Sequence, residues 1–325
     1  MRKAFLLYNP LSGSRRKRRV ANVQAALAVL RHAGVEAIAE PTRGQAEAGE
    51  QARQAIAEGC DTIFACGGDG TAHDVLQGMV GSDAALGIIP LGTANALAHD
   101  LRLPLSAVGA ARALLKAKPR RIALGSVEYT DIDGNRGSRF FTVAVGIGVD
   151  AHLFYKLNAR VKGHLGMAAY YAKATGLWLT HPMEKFAVEV EESTQAEVSQ
   201  LLAVRIRNFG GVLRELAPGA SLDRDDVRLV LFRTRSRMAY LHYIVRGLVG
   251  ARWRVRGIDL AHSLKIDCRP LARGGKASRI FVEADGELLG TLPASISVVP
   301  DALTLLVPDN QQNVAPASRQ ALLGG

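Results

Sequence analysis

An apolar strand that runs straight into a glycine cluster constrains this chain more than any other feature. Residues 62–66 read Thr-Ile-Phe-Ala-Cys, a short unbroken apolar run, and Gly67-Gly68-Asp69-Gly70-Thr71 follows without a spacer. Helical spacing resumes at once and stops at Gly78. A strand buried on both faces needs cover on each, and parallel strands joined through helices supply it. The flanking sequence keeps the alternation. Residues 4–8 form an apolar strand stopped by Asn9-Pro10. Across residues 14–33, Val20, Val23, Leu27 and Leu30 recur at helical steps, and Gly34 closes that helix. Residues 35–39 give a second strand and 47–58 a second helix; 86–90 give a strand that opens through Leu91-Gly92-Thr93 into a helical turn near Asn95. An amphipathic helix over 105–116 completes the pattern. The expectation is an α/β N-terminal domain over residues 1–121, a parallel sheet with helices on both faces.

Beyond Pro119 the character changes. The stretches 122–129, 140–145, 186–190, 201–206, 227–232, 263–268, 279–283 and 294–299 are short and β-branched or alternating, with turn signals such as Asp133-Gly134-Asn135 between them. They predict a β-sandwich-like C-terminal domain over residues 122–308, interrupted by helical insertions at 165–179 and 239–248. The polar end, 309–325, reads as a loose tail.

In a parallel sheet, the loops after each strand lie together at the carboxyl edge, where ligands bind. Here those loops are Asn9-Pro10-Leu11-Ser12-Gly13, the stretch containing Thr42, the glycine cluster, and Leu91-Gly92-Thr93-Ala94-Asn95. Glycine lets a backbone approach a phosphate closely, and the amides opening the next helix point at its oxygens. Asp69 can orient a hydroxyl or position Mg²⁺, and Thr71 can donate to an anion. A glycine-rich turn with a capping Asp and Thr accounts for the cluster alone; four polar, phosphate-competent loops on one edge are more than turns alone explain.

These motifs resemble those of the diacylglycerol kinase and sphingosine kinase superfamily, in particular its bacterial soluble lipid kinases. The resemblance rests on residues 9–13, Gly67 to Thr71, Pro90 to Asn95 and the late Asp285-Gly286-Glu287, in the family's order along nearly the whole chain. It implies a nucleotide-binding kinase catalytic domain followed by a lipid-binding domain, with ATP in the cleft between them. By the same resemblance Asn9, Pro10, Ser12, Gly13, Thr42, Gly67, Gly68, Asp69, Gly70, Thr71 and Thr93 contact the nucleotide. A carboxylate must accept the proton of the attacked lipid hydroxyl. The family pattern puts that base at Asp285, with Glu287 as its alternative or assistant. On its own, Asp-Gly-Glu is a hairpin-turn tripeptide.

One departure concerns the metal. Relatives carry an acidic turn that holds a structural Mg²⁺ shortly after an Ala-Pro-x-Ala segment. Here Ala217-Pro218-Gly219-Ala220 leads to Asp223-Arg224-Asp225-Asp226, with Arg224 at the key acidic position. A guanidinium cannot ligate Mg²⁺, so such a site is absent or rearranged around Asp223, Asp225 or Asp226. His73 also stands where relatives often have Asn.

Composition narrows the setting. The net charge of +11 favours anionic partners, nucleotides or bilayer headgroups among them. No recognisable nucleic-acid module accompanies the charge. Cys60, Cys66 and Cys268 have no metal-ligand spacing and suggest free thiols in a reducing cytoplasm. No apolar run is long enough to span a bilayer, so contact with a lipid would be peripheral, at an anionic surface. Two segments suit that role: 165–178, and 233–256, which mixes seven arginines with Met238, Tyr243, Ile244 and Trp253. The basic run 15–19 reads as a solvated helix start or as phosphate ligands. Oligomeric state stays open, a homodimer among the options. Two other functions fit parts of the pattern: an NAD kinase-like small-molecule kinase sharing the glycine loop, and a catalytically weak lipid-binding regulator, which the Arg224 substitution favours.

Overall fold

The computed structural model describes residues 1–10, 16–44, 46–149, 183–191, 194–210, 215–251, 253–271 and 279–309. The expected insertion at 165–179, the tail from 310, and Ser12 and Gly13 lie outside them.

The N-terminal part is built on four parallel strands in the order β2-β1-β3-β4: β1 (Lys3–Tyr8), β2 (Glu36–Pro41), β3 (Thr62–Gly67) and β4 (Ala85–Pro90). Both β3 and β4 are buried along their whole length, which is why their sequences are apolar without alternation. The connections are α1 (Arg16–His32), α2 (Ala48–Ala57) and α3 (Asp69–Gln77), with the short α4 (Ala96–Asp100) and α5 (Ala107–Leu115) after β4. Helix α1 carries the chain outward from β1 to β2, whereas α2 carries it back across β1 to β3. Right-handed crossovers therefore put the two on opposite faces; α1 packs with α5, and α2 with α3. The reversal of direction lies between β1 and β3, the kind of crevice where open α/β sheets bind ligands.

The remaining strands form mostly antiparallel layers. Strand β5 (Lys118–Thr130) pairs with β6 (Arg136–Phe141). One run is ordered β12-β11-β10-β7-β14-β15, comprising β7 (Ala144–Gly148), β10 (Gln200–Val204), β11 (Val227–Phe232), β12 (Ile258–Ser263), β14 (Phe281–Ala284) and β15 (Glu287–Val307). A second run joins β15 to β13 (Lys265–Pro270), β8 (Phe186–Val190) and β9 (Thr194–Val198). The pleat sorts side chains between two cores. Leu201, Ala203, Leu229 and Leu231 join Phe141, Phe186, Val188 and Ile296. Leu202, Val204, Val230 and Phe232 face the other way, towards Tyr240 and Tyr243 of α6 (Arg237–Leu248). This is the helix expected at 239–248.

The strand expected at 294–299 is part of something longer. β15 runs for 21 residues, past Pro293 and Pro300, which read in sequence as breaks. Its pairing with β5 shifts register in those two neighbourhoods, between Thr291 and Ser295 and between Val299 and Leu303. Irregular steps of that kind absorb prolines that cannot donate to a ladder. The far end of β15 then pairs in parallel with β4, Thr304 opposite Ala85, and Leu303, Leu305 and Leu306 enter the N-terminal core. β5 likewise passes unbroken through residues 118–122. Two continuous strands thus bind the α/β part to the β layers and bring the β14–β15 turn to the glycine loop.

Candidate functional site

Parallel register brings the strand ends level: Tyr8 lies opposite both Pro41 and Cys66, and Gly67 opposite Pro90. The loops that follow are tied to one another by backbone groups. Thr42 N–H donates to Tyr8 O at 2.9 Å, and Leu91 N–H to Gly67 O at 2.8 Å. Asn9, Pro10, Thr42, Gly67, Gly68, Asp69, Gly70, Thr71 and Thr93 therefore share one edge.

Close backbone approach explains the glycines. A Cβ on Gly92 would stand 2.3 Å from Gly68 Cα, so the two loops touch main chain to main chain. Asn95 is held in the left-handed region at φ 50° and braces its own loop, accepting from Gly92 N–H at 2.9 Å and donating to Gly92 O at 3.0 Å. The Asp69 carboxylate accepts the backbone N–H groups of Leu97, Ala96 and Asn95, amides at the start of α4 that the helix itself leaves unpaired. Burial nevertheless raises its pKa. Arg19 donates to Asn9 O at 3.2 Å and to Leu91 O at 3.1 Å, strapping the first loop to the last; burial lowers its pKa. A cavity of about 730 Å³ opens beside this edge, lined in part by Arg18, Arg19, Thr93, Asn95 and Ser106.

Asp285 and Glu287 have different surroundings. Asp285 and Gly286 both have positive φ, 49° and 84°, and form the two-residue turn joining β14 to β15; paired left-handed residues mark a type I′ hairpin. Asp285 is 7% exposed. One carboxylate oxygen accepts Val143 N–H at 2.9 Å and Ala144 N–H at 3.0 Å. The other accepts Thr142 N–H at 3.0 Å and the Thr142 hydroxyl at 3.3 Å, with His73 Nδ1 also at 3.3 Å. Five donors fill the roughly four lone-pair positions of a carboxylate. Glu287 is half-buried, and a Cβ on Gly70 would come within 3.0 Å of its Oε1. Its carboxylate stands against the first turn of α3, and among the described residues no hydrogen bond to it is formed. Burial raises its pKa; the charge of His73 opposes this, Asp74 adds to it, and Arg139 opposes it.

His73 is fully buried beside Asp285, and its Nε2 has no hydrogen-bond partner among the described residues. Burial disfavours the imidazolium, but the hydrogen bond and charge of Asp285 outweigh it and raise the pKa. Neither this pairing nor the approach of Arg139 from β6 was legible in the sequence, where Arg139 is one basic residue in an alternating strand. The bracing role of Asn95 had a signal, its place in the Pro90–Asn95 motif.

The acidic turn makes no metal cage. Asp223 is paired with Arg120 and, at 3.2 Å, with Arg207. Asp226 is paired with Arg224 and, at 3.2 Å, with His262. The carbonyl oxygens of Arg224 and Asp226 accept from the buried Arg205 guanidinium at 2.7 and 2.5 Å. Arg205 also donates to Ala123 O of β5, and its pKa is lowered by burial to about 10. Asp225 is exposed. Arginines hold the oxygens that a hard cation would need, and no cluster of three metal-ligating side chains occurs among the described residues. The residues do not fit a Mg²⁺ site.

Residues 3–127 match the diacylglycerol kinase catalytic domain, and residues 143–307 match the YegS C-terminal NAD kinase beta sandwich-like domain. A diacylglycerol kinase of Mycobacterium tuberculosis is 29% identical over 311 residues, covering 94% of this chain and 95% of that one. One from Bacillus subtilis is 28% identical over 302 residues, covering 90% and 92%. Among solved structures, a diacylglycerol kinase from Bacillus anthracis superposes with a TM-score of 0.69 at 18% identity, covering 95% and 97%. Yeast NADH kinase bound to NADH superposes at 0.51 and 12% identity, covering 96% and 84%. The likeness to these two structures is one of fold. Edge loops, hairpin turn and the two domain matches agree: the chain belongs to the diacylglycerol kinase family and is a kinase, with the catalytic domain at its N-terminus and the YegS-type beta sandwich-like domain after it.

Proposed function

We propose that the protein transfers the γ-phosphate of ATP to the hydroxyl of a membrane lipid, diacylglycerol by default, and that Glu287 rather than Asp285 takes the hydroxyl proton. The observation that carries the assignment is the position of the Glu287 carboxylate. It lies against Gly70 at the amide-rich start of α3, half-buried and without a protein donor among the described residues. A base must be within hydrogen-bond reach of the proton it abstracts and must have a lone pair to offer. Asp285 has spent its lone pairs on Thr142, Val143 and Ala144; its role is to fix the turn that aims Glu287.

The other residues then divide the work. Amides of Gly68 and Gly70 at the α3 start receive phosphate oxygens, with the Thr71 N–H held by Gly68 O at 3.0 Å. Asn9, Pro10, Thr42 and Thr93 frame the nucleotide, and Asp69 keeps the third and fourth loops in register. The lipid oxygen forms a bond to the γ-phosphorus as the bond to the β–γ bridging oxygen breaks; ADP leaves, and the proton passes to Glu287. Arg139 offsets charge beside Glu287 and Asp74. Mg²⁺ enters with ATP, held mainly by phosphates and water, and no step depends on Asp223, Asp225 or Asp226.

The reaction is placed at the cytoplasmic surface of a membrane, where ATP is present and the three buried free cysteines would stay reduced. No described helix is long and apolar enough to cross a membrane, so lipid is met peripherally. A second reading, phosphorylation of a dinucleotide, draws on the fold likeness to NADH kinase. One assay separates the readings: γ-labelled ATP with mixed micelles of hydroxyl lipids, and NAD in a parallel tube, using wild type and Glu287→Gln. Label in a lipid, lost in the variant, supports the proposal. Label in NAD alone replaces the acceptor, and turnover in neither leaves a nucleotide-binding regulator.

A further inference from the structure

Helix α6 is apolar on two sides, and only one of them is covered. Tyr240, Tyr243 and Gly247 face inward, together with the Arg246 guanidinium, which stacks on the Tyr243 ring at 4.1 Å. Tyr240 packs on Phe232 with ring centroids 4.3 Å apart, and the Tyr243 hydroxyl donates to Leu216 O at 2.7 Å. Tyr243, placed by its sequence context at a membrane surface, is thus a core residue, 2% exposed. The outward stripe is Met238, Leu241, Val245 and Leu248, spaced three, four and three residues apart along one face. Exposure reaches 71% at Met238 and 62% at Val249, and Trp253, 43% exposed, extends the stripe past the helix end. Water gains nothing from this arrangement, and a stripe this long is more than the scattered apolar residue that surfaces ordinarily carry.

Charge identifies the occupant. Residues 227–258 contain eight arginines and no aspartate or glutamate. Arg235, Arg254 and Arg256, which flank the helix in sequence, are exposed. A face of apolar side chains in a segment whose exposed charges are mainly guanidinium groups complements a bilayer with anionic headgroups, where such a helix lies flat with its apolar side in the acyl boundary and a Trp at headgroup level. A second copy of the chain fits poorly: two-fold pairing would set the same arginines against each other. We propose that the outward face of α6, continued by Val249 and Trp253, docks the protein on an anionic membrane leaflet. The proposal rests on the lipid-kinase reading for its purpose but not for its test. The core beneath α6 also contacts Ala144 and Phe209, which pack against the N-terminal core as well. Ala144 is an amide donor to Asp285, so the docked face and the catalytic turn belong to one packed unit.

The test is sedimentation with vesicles, without nucleotide or divalent cation, using equimolar phosphatidylglycerol and phosphatidylcholine against phosphatidylcholine alone. Wild type is expected in the anionic pellet and not the neutral one. Leu241→Ser with Leu248→Ser, both outward-facing, should keep the wild-type melting temperature and weaken binding at least about ten-fold. Arg235→Ser and Arg254→Ser should weaken it by about five-fold each, with reduced salt dependence. Binding unchanged in the leucine variant, or no wild-type preference for anionic vesicles, overturns the proposal. So does a dimer by light scattering that this variant dissociates, since that gives the face to a second copy. The kinase reading fails separately, if vesicles bind and no lipid hydroxyl is phosphorylated.

Discussion

Replacing each carboxylate of the turn by its amide should give two different kinds of damage. In Asp285→Asn the side chain keeps one oxygen and gains an NH₂ that cannot accept from the backbone amides of Thr142, Val143 or Ala144. If the oxygen faces Val143 and Ala144, the NH₂ meets Thr142 N–H and His73; the opposite rotamer sets it against the other two amides. One or two hydrogen bonds to a charged acceptor are lost, according to the rotamer, at about 1.5–3 kcal/mol each, or roughly 1.5–6 kcal/mol in all. At about 2–4 °C per kcal/mol, the figure for proteins of about 150–250 residues, the melting temperature should drop by roughly 3–24 °C. Glu287→Gln removes no such network, so its melting temperature should stay within about 2 °C of wild type, as for substitutions away from packed features. Its kcat should nevertheless fall about 10²–10⁴-fold, the usual worth of a positioned base. The assay is initial-rate lipid phosphorylation at saturating ATP, with thermal unfolding on the same preparations. An Asp285→Asn protein that melts like wild type but has lost turnover, beside an active Glu287→Gln, would refute the reasoning and return the base to Asp285.

Other consequences follow from the same geometry. Burial raises the Glu287 pKa, and a base works only when ionised. Turnover should therefore be full above that raised value and lost as pH falls through it, with the acid limb of kcat above the ordinary glutamate value of about 4.3; a flat profile to about pH 4.5 counts against the assignment. Gly92→Ala would set a Cβ 2.3 Å from Gly68 Cα, at a cost of about 1–3 kcal/mol, and should weaken nucleotide binding in calorimetry. Because arginines occupy the acidic turn, EDTA or Mg²⁺ should leave the unfolding midpoint of the nucleotide-free protein unchanged; a rise of several degrees with Mg²⁺ would show that a metal competes for Asp223 or Asp226. His73 has a raised pKa beside Asp285, so its pairing stabilises fully below its unfolded value of about 6.5 and fades as pH rises through the folded one. The melting-temperature gap between wild type and His73→Asn should shrink from about pH 6 to about pH 9.

What the sequence disclosed followed from how locally each feature is determined. The strand over 62–66, the helix with Val23, Leu27 and Leu30 buried, and the loops at the carboxyl edge are set by short-range periodicity and glycine placement, and all were readable. The return of residues 302–307 to the first core was not. A strand that changes core halfway carries the same apolar composition in both, and Pro293 and Pro300 hid its continuity. The acidic turn was legible only as a misfit. That Arg120, Arg205 and Arg207 converge on it depends on strands far apart in sequence, and no pattern announces a guanidinium destined for burial. At α6 the opposite error arose: composition marked the segment for a membrane but could not choose which aromatic faced outward, and Tyr243 turned in while Trp253 stayed out.

The turn at Asp285 shows why a motif can be recognised before its chemistry is assigned. Asp285 and Glu287 are two residues apart, and in an extended strand they would share a face. A type I′ turn breaks that rule, because Asp285 sits in the left-handed region at φ 49° while Glu287 has already entered β15. The turned residue points back into the amides of Thr142, Val143 and Ala144, which gather its carboxylate into the join between the α/β part and the β layers. The residue after the turn is left facing Gly70. In the proposed mechanism one carboxylate anchors and the other acts, and the anchoring is what makes the second one precise: loosening Asp285 would move the Glu287 oxygen relative to the amides that open α3. Mutational loss of activity at Asp285 is on this account expected and uninformative by itself; only the pairing of rate with stability tells anchor from base.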